Sequence, residues 1–167
     1  MYKAGDFVVH KIDGLCRISE ISTLDMPDSD SSTEYYFLVP TESPSSKIYV
    51  AVGSGESSLR EPISHDEAVQ LIDSLPEIEQ LPVPNEKLRQ SAYNQALIQN
   101  DCQTLFSLIK TTYARKAERL SRGRSATSMD ERFLKSAEKA LYSELSYALG
   151  MKPDKITDYI TSRLDSE

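Results

Sequence analysis

Tryptophan is absent from the 167 residues, cysteine and histidine occur twice each, and there are only six glycines. Each scarcity excludes something. Cys16 and Cys102 are far apart, with no CxxC motif and no neighbouring histidine, so neither a disulfide framework nor a zinc site is encoded, and both are expected to be buried reduced thiols. His10 and His65 are equally isolated, which argues against metal ligation or general-base catalysis. No run of 18 apolar residues is long enough to cross a membrane. The opening residues Met1-Tyr-Lys-Ala-Gly-Asp lack the apolar stretch of a secretory signal, so a cytoplasmic protein is expected.

Catalytic constellations are equally scarce. Gly53-Ser-Gly-Glu-Ser-Ser58 lacks the Lys-Ser/Thr that completes a phosphate loop and reads as an ordinary loop. Asp154 and Asp158 stand one helical turn apart without a histidine or a second acidic cluster, and no G-x-S-x-G elbow occurs. A binding protein is expected, with no cofactor, metal or small-molecule substrate.

What is present is charge, and it is segregated. Residues 1–86 hold 5 Lys+Arg against 16 Asp+Glu, and residues 87–167 hold 14 against 10, so the net −7 is −11 on one part and +4 on the other. Tyr113–Arg124 alone carries five cations and one anion, a density that favours a polyanion.

The apolar pattern divides at the same place. Asp6–His10 and Leu15–Ile21 flank Asp13-Gly14, a tight-turn signal, and Glu34–Val39 and Lys47–Val52 are rich in β-branched and aromatic residues. Polar loops are expected at 25–33 and 41–46. Four or five short antiparallel strands predict a small, strongly bent sheet or barrel over residues 1–62. Ser64-His-Asp-Glu67 is a capping box opening a helix with Ala68, Val69, Leu71, Ile72 and Leu75 on its apolar rows. Pro76, Pro82 and Pro84 then interrupt helix, so 63–84 is expected to be one capped helix and a proline-containing linker. Residues 85–167 read as helical. Asn85 and Asp101 are caps, Leu88 and Leu120 lie on apolar rows, Ser128-Met-Asp-Glu131 is a second capping box, Gly150 is a terminator and Pro153 a first-turn residue. The tyrosines at 35, 36, 49, 113, 142, 147 and 159 are expected to be core. The fold class is α+β, a small antiparallel barrel followed by a bundle of about five helices.

At about 100° per residue, Arg115, Arg119 and Arg122 share one helix face, and Arg132, Lys135 and Lys139 share another. Between the two rows lies Ser121-Arg-Gly-Arg124-Ser-Ala-Thr-Ser128, whose amides and hydroxyls suit phosphates. The candidate DNA-binding set is Arg115, Arg119, Arg122, Arg124, Arg132 and Lys135, with Lys87 and Arg89. Contacts of this kind are weak, sequence-independent and salt-sensitive.

Tyr2-Lys-Ala-Gly-Asp-Phe-Val-Val-His10, Asp13-Gly14, Glu34-Tyr-Tyr-Phe-Leu38, Leu59-Arg-Glu-Pro-Ile-Ser64, Gln99-Asn-Asp101 and Glu138-Lys-Ala-Leu-Tyr-Ser-Glu-Leu-Ser-Tyr-Ala-Leu-Gly150, in that order, resemble the CarD/CdnL family of bacterial transcription regulators. The resemblance covers nearly the whole chain. It implies a Tudor/SH3-like RNA polymerase-interacting domain, shared with the transcription-repair coupling factor and docking on the polymerase β subunit. A helical domain would then touch promoter DNA and modulate the open complex, leaving the protein cytoplasmic and associated with the nucleoid through polymerase. The basic side chains that some members use against polymerase align with Leu24 and Tyr49, so docking is expected around Thr23, Leu24, Lys47 and Tyr49. The family's minor-groove Trp aligns with Glu86, which would face phosphates unfavourably. The alternative is an adaptor on polymerase or another partner that has lost direct DNA contact.

Overall fold

The computed structural model describes residues 1–24 and 32–165, so most of the loop expected at 25–33 lies outside the described residues. The chain divides into two compact units, Met1–Pro62 and Ile63–Glu167.

The first unit is a curled antiparallel sheet of five strands in the order β4-β3-β2-β1-β5. They are β1 Phe7–His10, β2 Gly14–Thr23, β3 Glu34–Pro40, β4 Ile48–Ala51 and β5 Leu59–Arg60. Alternation along the strands sends Val8, Cys16, Ile18, Tyr36, Leu38 and Val50 into one core. Burial pushes the Cys16 thiol up to about 12, which leaves it protonated and unreactive at neutral pH. Tyr36 is fully buried except for what its hydroxyl reaches. It donates to the Glu56 carboxylate and accepts from the Tyr2 N–H at 3.3 Å, while its ring meets the edge of Tyr2.

Two details depart from the sequence reading. The expected β1–β2 hairpin forms, His10 pairing with Gly14 across Lys11–Asp13, but of the Asp13-Gly14 pair Gly14 alone has positive φ, 74°. Within this loop the His10 Nδ1 lies 2.8 Å from the Asp13 carboxylate. The strand β5 has too few residues to show any period; its pairing with β1 makes it a strand.

The second unit contains α1 His65–Asp73, α2 Arg89–Gln99, α3 Cys102–Ser121, α4 Ser128–Leu149 and α5 Pro153–Asp165. The Ser64–Glu67 capping box is complete, and Asp101 caps α3 through the Thr104 N–H at 2.8 Å. Two cap assignments change. Thr127, not Ser128, caps α4, accepting from the Asp130 N–H at 3.1 Å. Asn85 caps a 3-10 turn, Glu86–Leu88, ahead of α2 rather than α2 itself. Asn100, in the left-handed region at φ 52°, ends α2, and Gly150 at φ 64° ends α4.

The core of this unit gathers Tyr93, Leu105, Phe106, Ile109, Leu141 and Ile156 among others. Residues 63–84 belong to it rather than bridging to it. Ala68, Ile72, Leu75 and Ile78 are buried there, Lys110 Nζ donates to the Leu75 carbonyl at 2.9 Å, and the Leu81 N–H donates to Thr111 Oγ1 at 2.9 Å. At the start of the unit, the buried Glu144 carboxylate accepts from the Ile63 N–H at 2.7 Å. The prolines interrupt helix without freeing the chain, because side chains of α3 satisfy the backbone between them. Val69, Leu88 and Leu120 are exposed instead of lying in apolar rows, as are Tyr49, Tyr147 and Tyr159.

Two glycines should respond differently to alanine. A Cβ at Gly55 would stand 2.8 Å from both the Ala51 carbonyl oxygen and Val50 Cγ1, whereas one at Gly150 meets nothing within 4 Å but must hold φ 64°. Gly55→Ala should cost the first unit about 1–3 kcal/mol through a backbone clash. Gly150→Ala should cost the helical unit about 1 kcal/mol through the left-handed backbone alone. Urea unfolding of the full chain, followed by amide signals from each unit, measures both.

Candidate functional site

Two surfaces hold the candidate residues, one on each unit. On the sheet, β4 is an outermost strand, and among the described residues no strand pairs with its outer side. The residues alternating with Tyr36 and Leu38 face outward, so Phe37 meets Tyr49 across the β3–β4 pair, edge to face at 4.9 Å, and Lys47 Nζ lies 6.0 Å from the Phe37 ring centroid. Tyr49 is 42% exposed. Lys47, Tyr49 and Phe37 thus form one aromatic patch with a cation beside it, spanning β3 and the edge strand β4, with Glu20 opposite Phe37 on β2.

Thr23 and Leu24 are not part of it. Thr23 pairs with Glu34 at the start of β3, on the side away from β4, whereas Tyr49 pairs with Phe37. There β2 has run past the end of β1, whose pairing stops at Phe7–Arg17, and a bulge at Ser19 bends it. Phe37 was missed in the sequence. Its signal was the period of two in Glu34–Pro40 with apolar residues on both phases, which marks a strand whose outward side is itself apolar.

On the helical unit the centre is a charged network around a buried carboxylate. Asp130, only 2% exposed, accepts from the Tyr93 hydroxyl at 3.0 Å and from Arg115 Nε at 2.8 Å. Arg89 donates from Nη1 to the Tyr93 hydroxyl at 3.2 Å. The free ends of both arginines then meet at Glu86: Arg89 Nη2 is 2.8 Å and Arg115 Nη1 2.9 Å from the same oxygen, Oε1. Hydrogen bonds from Arg89 and then Arg115 hold the Glu86 carboxyl down at about 2. Behind the network Tyr93 packs on Phe133 at 5.2 Å, and the Arg132 guanidinium covers Phe133 at 5.2 Å.

The structure therefore separates the expected DNA-binding residues into groups. Arg89 and Arg115 are held in the network, their side chains only 12% and 20% exposed. Arg119 donates from Nε to the Ser125 carbonyl at 2.7 Å, and Arg122 pairs with Glu118 at 3.0 Å. Because α3 ends at Ser121, Arg122 does not continue the helical row with Arg115 and Arg119. The amides of Gly123 and Arg124 are used to close α3, donating to the Leu120 and Arg119 carbonyls, so they are not open to a phosphate. Lys87, Arg124, Arg132 and Lys135 are exposed. Tyr93 and Asp130 were not singled out by the sequence; Tyr93 lies one turn before Ala96 and Leu97 on α2, and that spacing was the available sign.

Residues 2–63 match the family model of the CarD-like/TRCF RID domain, and so cover the described first unit almost completely. The first unit is a domain of that family, which makes the chain a transcription-related protein carrying an RNA polymerase-interacting domain. The match reaches only the first residue of the helical unit, Ile63. Comparison with curated proteins gives no match. No helix among the described residues is long and apolar enough to cross a membrane.

Two outcomes follow from the network. Asp130→Asn leaves Arg115 facing a neutral, buried partner and should destabilise the helical unit by about 3 kcal/mol, read as a shift of its urea midpoint. For Glu86, the ordinary value of 4.5 falls to about 2 in the folded chain, so its contribution to stability is fully present above 4.5 and is lost as pH falls through about 2. The side-chain carboxyl signal of Glu86 in a carbon-detected titration should have its midpoint near 2, and a midpoint near 4.5 would mean that the two arginines do not hold it.

Proposed function

We propose that the protein docks on the β subunit of RNA polymerase through the outer side of β4 and the Phe37–Tyr49–Lys47 patch, and that its helical unit modulates the promoter open complex by touching DNA phosphates. The observation that carries this reading is an edge strand with an outward aromatic pair in a domain of the RID family. Such an edge can accept a partner strand through backbone hydrogen bonds, while the aromatic pair supplies the desolvated contact that most binding energy comes from. No reaction is catalysed in this mechanism. Binding energy directed at one state of the promoter complex shifts its population.

A second reading, an adaptor on polymerase without DNA contact, is favoured by one specific observation. Arg89 and Arg115 are occupied by Glu86 and Asp130, and no Trp is available to wedge into a groove. The two readings share the docking step and part at the helical unit.

The full-length chain with Phe37→Ala and Tyr49→Ala should lose at least about tenfold in affinity for purified polymerase, the loss typical of two central aromatic contacts. Charge reversal at Arg124, Arg132 and Lys135 should leave that capture intact while shortening the open-complex lifetime on a weak promoter. Unchanged capture by the double alanine variant would place docking elsewhere. An unchanged lifetime after charge reversal would favour the adaptor.

A further inference from the structure

We infer that Arg89 and Arg115 form a clamp for a backbone phosphate of nucleic acid, and that the Glu86 carboxylate occupies it as an internal substitute that the phosphate displaces. The inference rests on the reading of the helical unit as the part that touches DNA.

The two sides of the Glu86 contact are built differently. Both arginines are fixed from behind. Arg115 is held through Nε by the buried Asp130, and Arg89 through Nη1 by the Tyr93 hydroxyl, which Asp130 also binds. What remains is Arg89 Nε and Nη2 and Arg115 Nη1, three donors from α2 and α3 converging within 2.8–3.1 Å on one carboxylate. Guanidinium forks fit the oxygens of phosphate as well as those of carboxylate. Glu86, in contrast, stands in the first position of a three-residue 3-10 turn, and its side chain is 71% exposed. Withdrawing it uncovers no core, and a phosphodiester brings the same single negative charge with two free oxygens, so both arginine contacts can be remade on the phosphate.

Charge decides what would enter. With Glu86 in place, Arg89, Arg115, Asp130 and Glu86 sum to zero; with Glu86 withdrawn, the fixed groups carry one net positive charge. Lys87 stands exposed in the same turn, and Arg132 covers Phe133, whose partner ring Tyr93 lies 5.8 Å from the Arg89 guanidinium. Two arginines from α2 and α3 thus converge on one gated position, and Lys87 and Arg132 add exposed cations on the same unit, which suits a chain of phosphates more than a single ion. The clamp stays closed to weakly bound anions and opens when neighbouring phosphates already hold the surface.

The test measures binding of the full-length chain to a short labelled DNA duplex across a salt series. Glu86→Gln, which keeps the shape and removes the charge, should bind roughly three- to tenfold tighter, with a log K against log salt slope steeper by about 0.9, the value for one added phosphate contact. Adding Arg89→Gln to that variant should abolish the gain; Arg115 is left alone because its loss would strand Asp130. In the wild-type chain, the Glu86 carboxyl signal should move on saturation with duplex, a readout that needs no variant to fold. Unchanged or weaker binding by Glu86→Gln, a gain that survives Arg89→Gln, or a Glu86 signal indifferent to duplex would overturn the inference. Inorganic phosphate, compared with chloride at matched ionic strength, separates the sources: saturation by free phosphate without duplex binding would overturn the nucleic-acid assignment. Polymerase capture by the same variants keeps the two proposals apart, since intact capture without the gain leaves docking standing, and the gain without capture leaves the clamp standing.

Discussion

Burying the carboxylate of Asp130 creates a demand that organises the helical unit. A charge removed from water must be paired and hydrogen-bonded. Here the partners come from two other helices: the Tyr93 hydroxyl from α2 and Arg115 from α3. The requirement fixes where α4 begins, because Asp130 in its first turn must face inward together with Phe133 and Ala137. It also fixes the ring of Tyr93 against Phe133 and, through the tyrosine hydroxyl, the reach of Arg89. The surface that meets solvent is thus set from beneath.

That coupling changes how the basic half is understood. Counting charges along the chain treats every Lys and Arg as free for a polyanion. In the folded unit the cations fall into those that hold the structure together and those that face water, and the first group includes the two that lie closest to a built anion site. A positive net charge on residues 87–167 is real, yet the part that can act at long range is carried by exposed residues such as Lys87, Arg124, Arg132 and Lys135. The sheet unit works the opposite way. Residues 1–62 are acidic overall, with 5 Lys+Arg against 10 Asp+Glu, whereas the outward Phe37–Tyr49 pair is aromatic, a surface on which desolvation rather than charge would supply affinity.

Legibility followed the range of the interactions. The Ser64–Glu67 box, the Asp101 cap and the Gly150 terminator depend on residues within a turn of one another, and each appears where the local pattern placed it. The α4 cap shows where that ends. Ser128–Glu131 and Thr127–Asp130 are both acceptable local boxes, and the choice between them was made by the burial of Asp130 against helices contributed from elsewhere in the chain. The prolines of 76–84 were legible as helix breakers, whereas the burial of Leu75 just before them and of Ile78 between them needed α3 to be in place.

The sequence by itself determined the α+β division, the strand-rich acidic start, the five helices and the family of the first unit, because period, capping chemistry and order of motifs are written in neighbouring residues. Only the tertiary structure decided which side of β3 faces outward, which of two caps opens α4, and that Glu86 closes on two arginines 3 and 29 positions away. The physical reason is that a hydrogen bond or ion pair between distant residues depends on how helices and strands pack, and packing is settled by the whole core at once rather than by any segment of it.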